Sequence, residues 1–138
     1  MYYAQMKNTV KAKDDSFGIT TPDDLYAALS GIWCEYTCAP RMRKDWSTEN
    51  KTLGQCSVTA FLAQDIFGGD VYGIPLPDGS YHCFNRVEDN IFDLTSEQFP
   101  EALDYTNCVL QSRDTHFAKE EKRQRYIYLK EALLKKNG

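Results

Sequence analysis

The sequence predicts an α+β protein in which a central antiparallel sheet of three to five strands packs against a helix that bears a cysteine at its N-terminus. Three observations predict it. Residues 56–67 are apolar almost all the way round and stop at Gly68-Gly69, which reads as a buried helix with a glycine terminator. Residues 71–94 alternate short β-prone runs with turn residues, the pattern of an antiparallel meander. Both ends carry apolar residues at helical spacing, so helices cover what the sheet and the central helix leave open.

Residues 1–20 show weak patterning and are expected to be a loosely packed lead-in to a single domain spanning 1–138, ending at the Gly18 turn. Thr21-Pro22-Asp23-Asp24 supplies a capping hydroxyl, a proline in the first turn and two acids against the helix dipole. Leu25, Ala28, Leu29 and Ile32 then form one stripe, giving a helix over 22–33. Residues 34–53 are polar and irregular, with Pro40, the basic cluster Arg41, Arg43 and Lys44, and Trp46, and read as a long loop of the kind that often carries function.

The meander resolves into Val71 to Ile74, a Pro77-Asp78-Gly79 turn, Ser80 to Val87, a reversal around Glu88-Asp89-Asn90, and Ile91 to Leu94. Thr95 to Pro100 reads as one helical turn cut short by proline, and Asn107 to Gln111 as a further strand. One long charged helix is expected from Thr115 or His116 to Leu134, with Tyr126, Leu129 and Leu133 inward and Glu120, Glu121, Lys122 and Lys130 solvated. His116 reads as a surface residue.

Sixteen Lys and Arg against twenty Asp and Glu give a charge of −4, which offers no field for a phosphate backbone, so nucleic acid is not an expected partner. No stretch approaches a membrane span, and the first fifteen residues contain no signal-type apolar run. A cytoplasmic location is therefore expected. The five cysteines, 34, 38, 56, 83 and 108, form an odd set without regular spacing and read as reduced thiols. Cys34 and Cys38 lie one helical turn apart, but no second pair follows, so neither metal nor cofactor is expected; a thiol-based metal or redox protein is the third reading of the chain.

The chemistry resides in an ordered set. Cys56 opens the buried helix, His82 follows 26 residues later in a strand, and Asp93 comes 11 residues after that in the next strand. Helix amides and a nearby imidazolium favour a thiolate. An imidazole shuttles protons at neutral pH when a carboxylate fixes its tautomer. If the reversal is a four-residue loop, Arg86 to Asp89, His82 faces Asp93 directly, with Cβ atoms about 4.5–5.5 Å apart. An Asp89-Asn90 turn would offset them by four positions, and a three-residue turn would set them on opposite faces. Alternation then turns Cys83 away from any site that His82 faces. Amide donors for an oxyanion would come from the Cys56 N–H together with Gln55 or Asn50, and Trp46 and Phe84 are candidate groove residues.

Four blocks carry a resemblance: Gly54 to Ala60, Gln64 to Gly69, His82 to Arg86, and Asp93 to Phe99. Over about residues 30–100 the chain resembles the YunG-like family of small uncharacterised bacterial proteins, itself similar to the papain-like and transglutaminase-like cysteine hydrolases. The resemblance implies a papain-like/transglutaminase-like core with Cys56 as nucleophile, His82 as base and Asp93 as orienter. In that superfamily an upstream Gln often completes the oxyanion hole, where this chain has Asn50, and the family's usual Tyr-Trp after the histidine is Cys83-Phe84 here.

The function expected is a cysteine hydrolase or acyltransferase acting on an amide, ester or thioester of a small molecule or peptide, with water or an amine releasing the acyl group. The alternative is a non-catalytic module that binds a protein partner through the 34–53 loop on the same scaffold.

Overall fold

The computed structural model describes residues 1–137, and its architecture is α+β. The chain runs β1 (Tyr3–Gln5), α1 (Pro22–Ser30), α2 (Cys56–Phe67), β2 (Asp70–Pro75), β3 (Tyr81–Val87), β4 (Asn90–Asp93), β5 (Val109–Leu110), α3 (Arg113–Phe117) and α4 (Glu120–Asn137). Short 3-10 turns at Asp15–Phe17, Pro40–Asp45 and Ser96–Gln98 punctuate the connections. The five strands form one sheet in the order β1-β4-β3-β2-β5, and every neighbouring pair is antiparallel.

Helix α1 begins where its sequence says it should, in a capping box: the Asp24 N–H donates to Thr21 Oγ1 and the Thr21 N–H to Asp24 Oδ2. It ends at Ser30, before Gly31, rather than at residue 33. Trp33 instead packs its ring into the core and donates its indole N–H to Thr59 Oγ1 at 2.9 Å, tying the start of the long loop to α2. Helix α2 is the central element. Val58, Phe61, Leu62, Ala63, Ile66 and Phe67 are fully buried, between the sheet on one side and α4, through Leu129 and Leu133, on the other. Gly68 and Gly69 stop the helix with positive φ. At Gly69 a Cβ would meet the Arg86 carbonyl at 2.3 Å, so only glycine lets the chain turn this close to β3.

The lead-in is not loosely packed. Tyr3–Gln5 forms an edge strand on β4, with Tyr3 opposite Asp93, and Tyr2, Val10, Phe17 and Ile19 join the core. What holds it is Asn90, whose Oδ1 accepts the Lys7 and Asn8 N–H groups at 2.8 and 3.1 Å and whose amide donates to Asn8 Oδ1.

The expected long C-terminal helix is two. Ser112 caps α3 by accepting the Thr115 N–H, and the chain re-aims at Ala118-Lys119 before α4. The break seats Arg113 against α2, where its guanidinium donates to the Phe61 carbonyl at 2.9 Å and to Asp65 at 2.8 Å.

Candidate active site

The site stands where the N-terminus of α2 meets the start of β3. Cys56 is the first residue of α2 and half-buried, and its sulfur lies 3.9 Å from the Tyr81 carbonyl oxygen. The first amides of a helix lack intrahelical acceptors and carry the positive end of its dipole. Gln55, at the N-cap, does not satisfy them with its side chain. Its amide donates to the Cys34 carbonyl at 3.1 Å and its backbone N–H to the Thr52 carbonyl.

His82 and Asp93 are joined by a 2.7 Å hydrogen bond between Nε2 and Oδ2, each residue 1% exposed. The register behind it differs from every one expected from sequence. The β3–β4 reversal is a two-residue turn, Glu88-Asp89, with Val87 opposite Asn90 and Asn85 opposite Phe92. Continued by one step, that register sets Asp93 across from Phe84, leaving His82 two positions away on the same face. A diagonal neighbour at this offset remains within reach of longer side chains. The turn falls here because Glu88 accepts a left-handed conformation, φ 56°, while Asn90 serves as a strand residue whose amide donates to the Val87 carbonyl. The four-residue loop beginning at Arg86 fails because Arg86 and Val87 are strand residues, paired with Ile91 and Asn90.

Three further donors converge on the Asp93 carboxylate: the Tyr105 hydroxyl on Oδ2 at 2.7 Å, and the Thr95 N–H and hydroxyl on Oδ1 at 3.2 and 3.4 Å. Phe99 sets its ring edge-on to the imidazole, with centroids 4.6 Å apart. The 94–108 segment thus roofs the His82–Asp93 pair. Burial disfavours the imidazolium, but hydrogen bonds and charge from Asp93 and Cys56 outweigh it and raise the His82 pKa to about 10. With Nε2 committed to Asp93, Nδ1 is the nitrogen left for the thiol.

Cys83 lies opposite His82 along β3, as strand alternation requires, yet it does not leave the site. Its face of the strand is the one that α2 covers. Cys56 sits near the point where β3 begins and is approached from both faces. Hydrogen bonding from Cys83 and then from His82, with the imidazolium charge, holds the Cys56 thiol well below its ordinary range, while Cys83 is held protonated by the same contact and by burial. Of the two sulfurs, Cys56 is the one whose thiolate is favoured.

Two residues read as solvated complete the surroundings. Lys122 of α4 is half-buried, and its ammonium donates to His116 Nδ1 at 2.9 Å, while His116 Nε2 meets Gln111 Oε1 at 2.8 Å. Burial, and then the Lys122 charge, lower the His116 pKa to about 4, so the ring is a neutral acceptor. The nearby cysteine pair in turn partly offsets the burial that lowers the Lys122 pKa. Sequence spacing gave no sign of this, because α3 and α4 reach the site only through the break at Ala118-Lys119.

The remaining candidates are more peripheral. Phe84 is 2% exposed, stacked with Tyr72 and edge-on to Tyr105, so it supports the wall from within. Trp46 is half-buried against the core with its indole N–H on the Lys51 carbonyl. Asn50 is half-buried in a tight Ser47–Asn50 turn. Cys38 is buried and Cys34 and Cys108 are half-buried; among the described residues no cluster of three or more His, Cys, Asp or Glu side chains is arranged to hold a metal ion. A cavity of about 450 Å³ lies away from all of these, between the 2–10 segment and the start of α1. A second, of about 340 Å³, is lined by Tyr3, Ser96, Phe99 and Tyr105 and backs onto the roof of the His82–Asp93 pair.

The fold and this centre define an α+β protein with a cysteine at a helix start beside a buried histidine–aspartate pair. The chain belongs to the YunG family, whose description, YunG protein, matches residues 21–138. It is 37% identical over 87 residues to the uncharacterized protein YunG of Bacillus subtilis (strain 168), covering 63% of this chain and 73% of that protein. No solved structure matches. Among the described residues no helix is long and apolar enough to cross a membrane.

Proposed function

We propose that this protein is a cysteine hydrolase or acyltransferase with a papain-like arrangement, in which Cys56, His82 and Asp93 act as nucleophile, proton shuttle and orienter. The observation that carries the reading is the buried 2.7 Å His82–Asp93 bond beside a thiol whose environment favours the thiolate. A structural histidine needs one partner; it does not need a thiolate on its other side.

In this mechanism the Cys56 thiolate attacks the carbonyl carbon of an amide, ester or thioester. The carbonyl electron pair moves onto oxygen, where the Cys56 N–H and the following amides of the first turn of α2 stabilise it. Collapse of the tetrahedral adduct breaks the bond to the leaving group, which takes the proton from His82 Nδ1 and departs as an amine, alcohol or thiol. Cys56 is then a thioester. Neutral His82 removes a proton from water or an acceptor amine as it attacks, the acyl group leaves, and the thiolate–imidazolium pair is restored. Asp93 holds Nε2–H throughout and keeps Nδ1 aimed at sulfur.

The test is the pH dependence of Cys56 alkylation by iodoacetamide, resolved by peptide mass spectrometry, in the native protein and in His82→Ala. The expected midpoint lies well below the free-thiol value of about 8.5 and rises toward it in the variant. A midpoint near the free-thiol value in both proteins overturns the enzyme reading and leaves a non-catalytic binding module. A depressed midpoint justifies a screen of acyl donors with and without amine acceptors.

A further inference from the structure

Cys83 is buried, bears no role in acyl transfer, and faces the nucleophile. The juxtaposition follows from how α2 lies along β3. The Asn85 amide donates to the Ala60 carbonyl at 2.8 Å, fixing helix residue 60 over strand residue 85. Stepping back four helix residues, about 6 Å, gives Cys56, and stepping back two strand residues, about 6.7 Å, gives Cys83. The two steps run the same way, since the Cys56 thiol lies against the Tyr81 carbonyl at the start of β3. The two steps set Cys83 beside Cys56, both are free thiols, and Cys83 is the first influence that lowers the Cys56 thiol. The Lys122 ammonium, bonded to His116 Nδ1, interacts with both sulfurs through its charge, and electropositive surroundings favour selective thiol oxidation.

We infer that Cys56 and Cys83 form a reversible redox pair, in which a hydroperoxide oxidises Cys56 and Cys83 captures the product as a Cys56–Cys83 disulfide. The Cys56 thiolate attacks the distal peroxide oxygen and the O–O bond breaks. With hydrogen peroxide the leaving hydroxide takes a proton and departs as water, and Cys56 becomes a sulfenic acid. Cys83, through its thiolate, then attacks the Cys56 sulfur; the S–S bond forms, the S–O bond breaks, and a second water leaves. Two thiols are oxidised by two electrons and one peroxide is reduced to two waters. A dithiol restores both cysteines by exchange. Half-exposed Cys56 is the sulfur the oxidant meets, and 2%-exposed Cys83 is the one that resolves it. Capture spares the nucleophile from irreversible sulfinic and sulfonic acids.

The inference rests on a thiolate at Cys56 and is independent of any acyl substrate. The reduced full-length protein is treated with stoichiometric hydrogen peroxide in the presence of dimedone, then digested without reductant. Expected is a Cys56–Cys83 linked peptide that dithiothreitol cleaves, with little dimedone on Cys56. In Cys83→Ser and Cys83→Ala, dimedone labelling of Cys56 should rise about tenfold, and sulfinic acid should accumulate when dimedone is omitted. Two variants are used so that poor packing of either can be recognised by its circular dichroism. A disulfide from Cys56 to Cys34, Cys38 or Cys108, or a Cys56 that overoxidises equally in native and variant proteins, overturns it. Iodoacetamide titration of the same samples separates the two ideas: a low alkylation midpoint with no 56–83 link sinks the redox pair alone.

Discussion

His82 Nε2 and Asp93 Oδ2 meet at 2.7 Å although the β3–β4 register holds the two residues two positions out of line. The diagonal contact costs Asp93 none of its other partners, because Tyr105 and Thr95 supply three more donors from the segment that follows β4. Asp93→Ala should therefore destabilise the fold by about 3–5 kcal/mol, since it orphans a buried imidazolium and a tyrosine hydroxyl together. Tyr105→Phe keeps the ring stacked on Tyr3, with centroids 4.0 Å apart, and should cost only about 1–2 kcal/mol. Urea denaturation of both variants checks the ranking; a smaller loss for Asp93→Ala than for Tyr105→Phe would contradict the four-donor picture.

The pH dependence of stability follows from the same pair. The His82 pKa is raised to about 10 in the folded protein, against about 6.5 in the unfolded chain. Folding therefore binds a proton that the unfolded chain releases. The stabilisation is complete below about pH 6.5 and disappears as pH rises through 10. Below the free-thiol value of about 8.5 the proton that folding gives up at Cys56 offsets the one it takes up at His82, so chemical denaturation should show the net loss between about pH 8.5 and 10.5, and His82→Gln should lack it.

Burial, and after it Lys122, sets the protonation of His116. The Lys122 ammonium occupies Nδ1, and with burial it holds the ring pKa near 4. Lys122→Met should let the pKa climb part of the way toward 6.5, the remaining depression being due to burial. Proton NMR of the His116 ring reads this directly. The same substitution should raise the Cys56 alkylation midpoint by a fraction of a pH unit, far less than His82→Ala.

Asn90 is a fastener between β4 and the N-terminal segment. Asn90→Ala should leave the Lys7 and Asn8 amides without their acceptor and cost about 2–3 kcal/mol. Hydrogen exchange of the amides of Tyr3–Gln5 should accelerate while α2 stays protected. Equal acceleration in both would mean that Asn90 supports the whole core instead.

The parts of this protein governed by local chemistry could be read from the sequence. The capping box at Thr21 and Asp24, the apolar circumference of residues 58–67 and the Gly68-Gly69 stop each act within a few residues. The order of Cys56, His82 and Asp93 was visible as residue types along the chain, while their contact depends on the strand register. What could not be read depends on remote partners. Asn90 looks like a turn residue until Asn8, 82 positions away, claims its side chain. Tyr3–Gln5 has too few residues to show a period and becomes a strand only because β4 offers an edge. Cys83 was expected to turn away from the site because alternation describes a strand and not the helix lying across it. Tyr105 and Lys122 enter from segments whose own patterning reports only solvent and core.

The pairing of Tyr3 with Asp93 also bears on how the protein folds. Strands β2, β3 and β4 are joined by short turns and can pair as soon as they meet. Strand β1 must instead find β4 across a loop of some ninety residues, and closing such a loop loses entropy that only finished neighbours can repay. The edge on which β1 docks exists only once the hairpin has set its register. The flank of the Asp93 carboxylate therefore depends on a long-range closure that the β2–β3–β4 meander does not need.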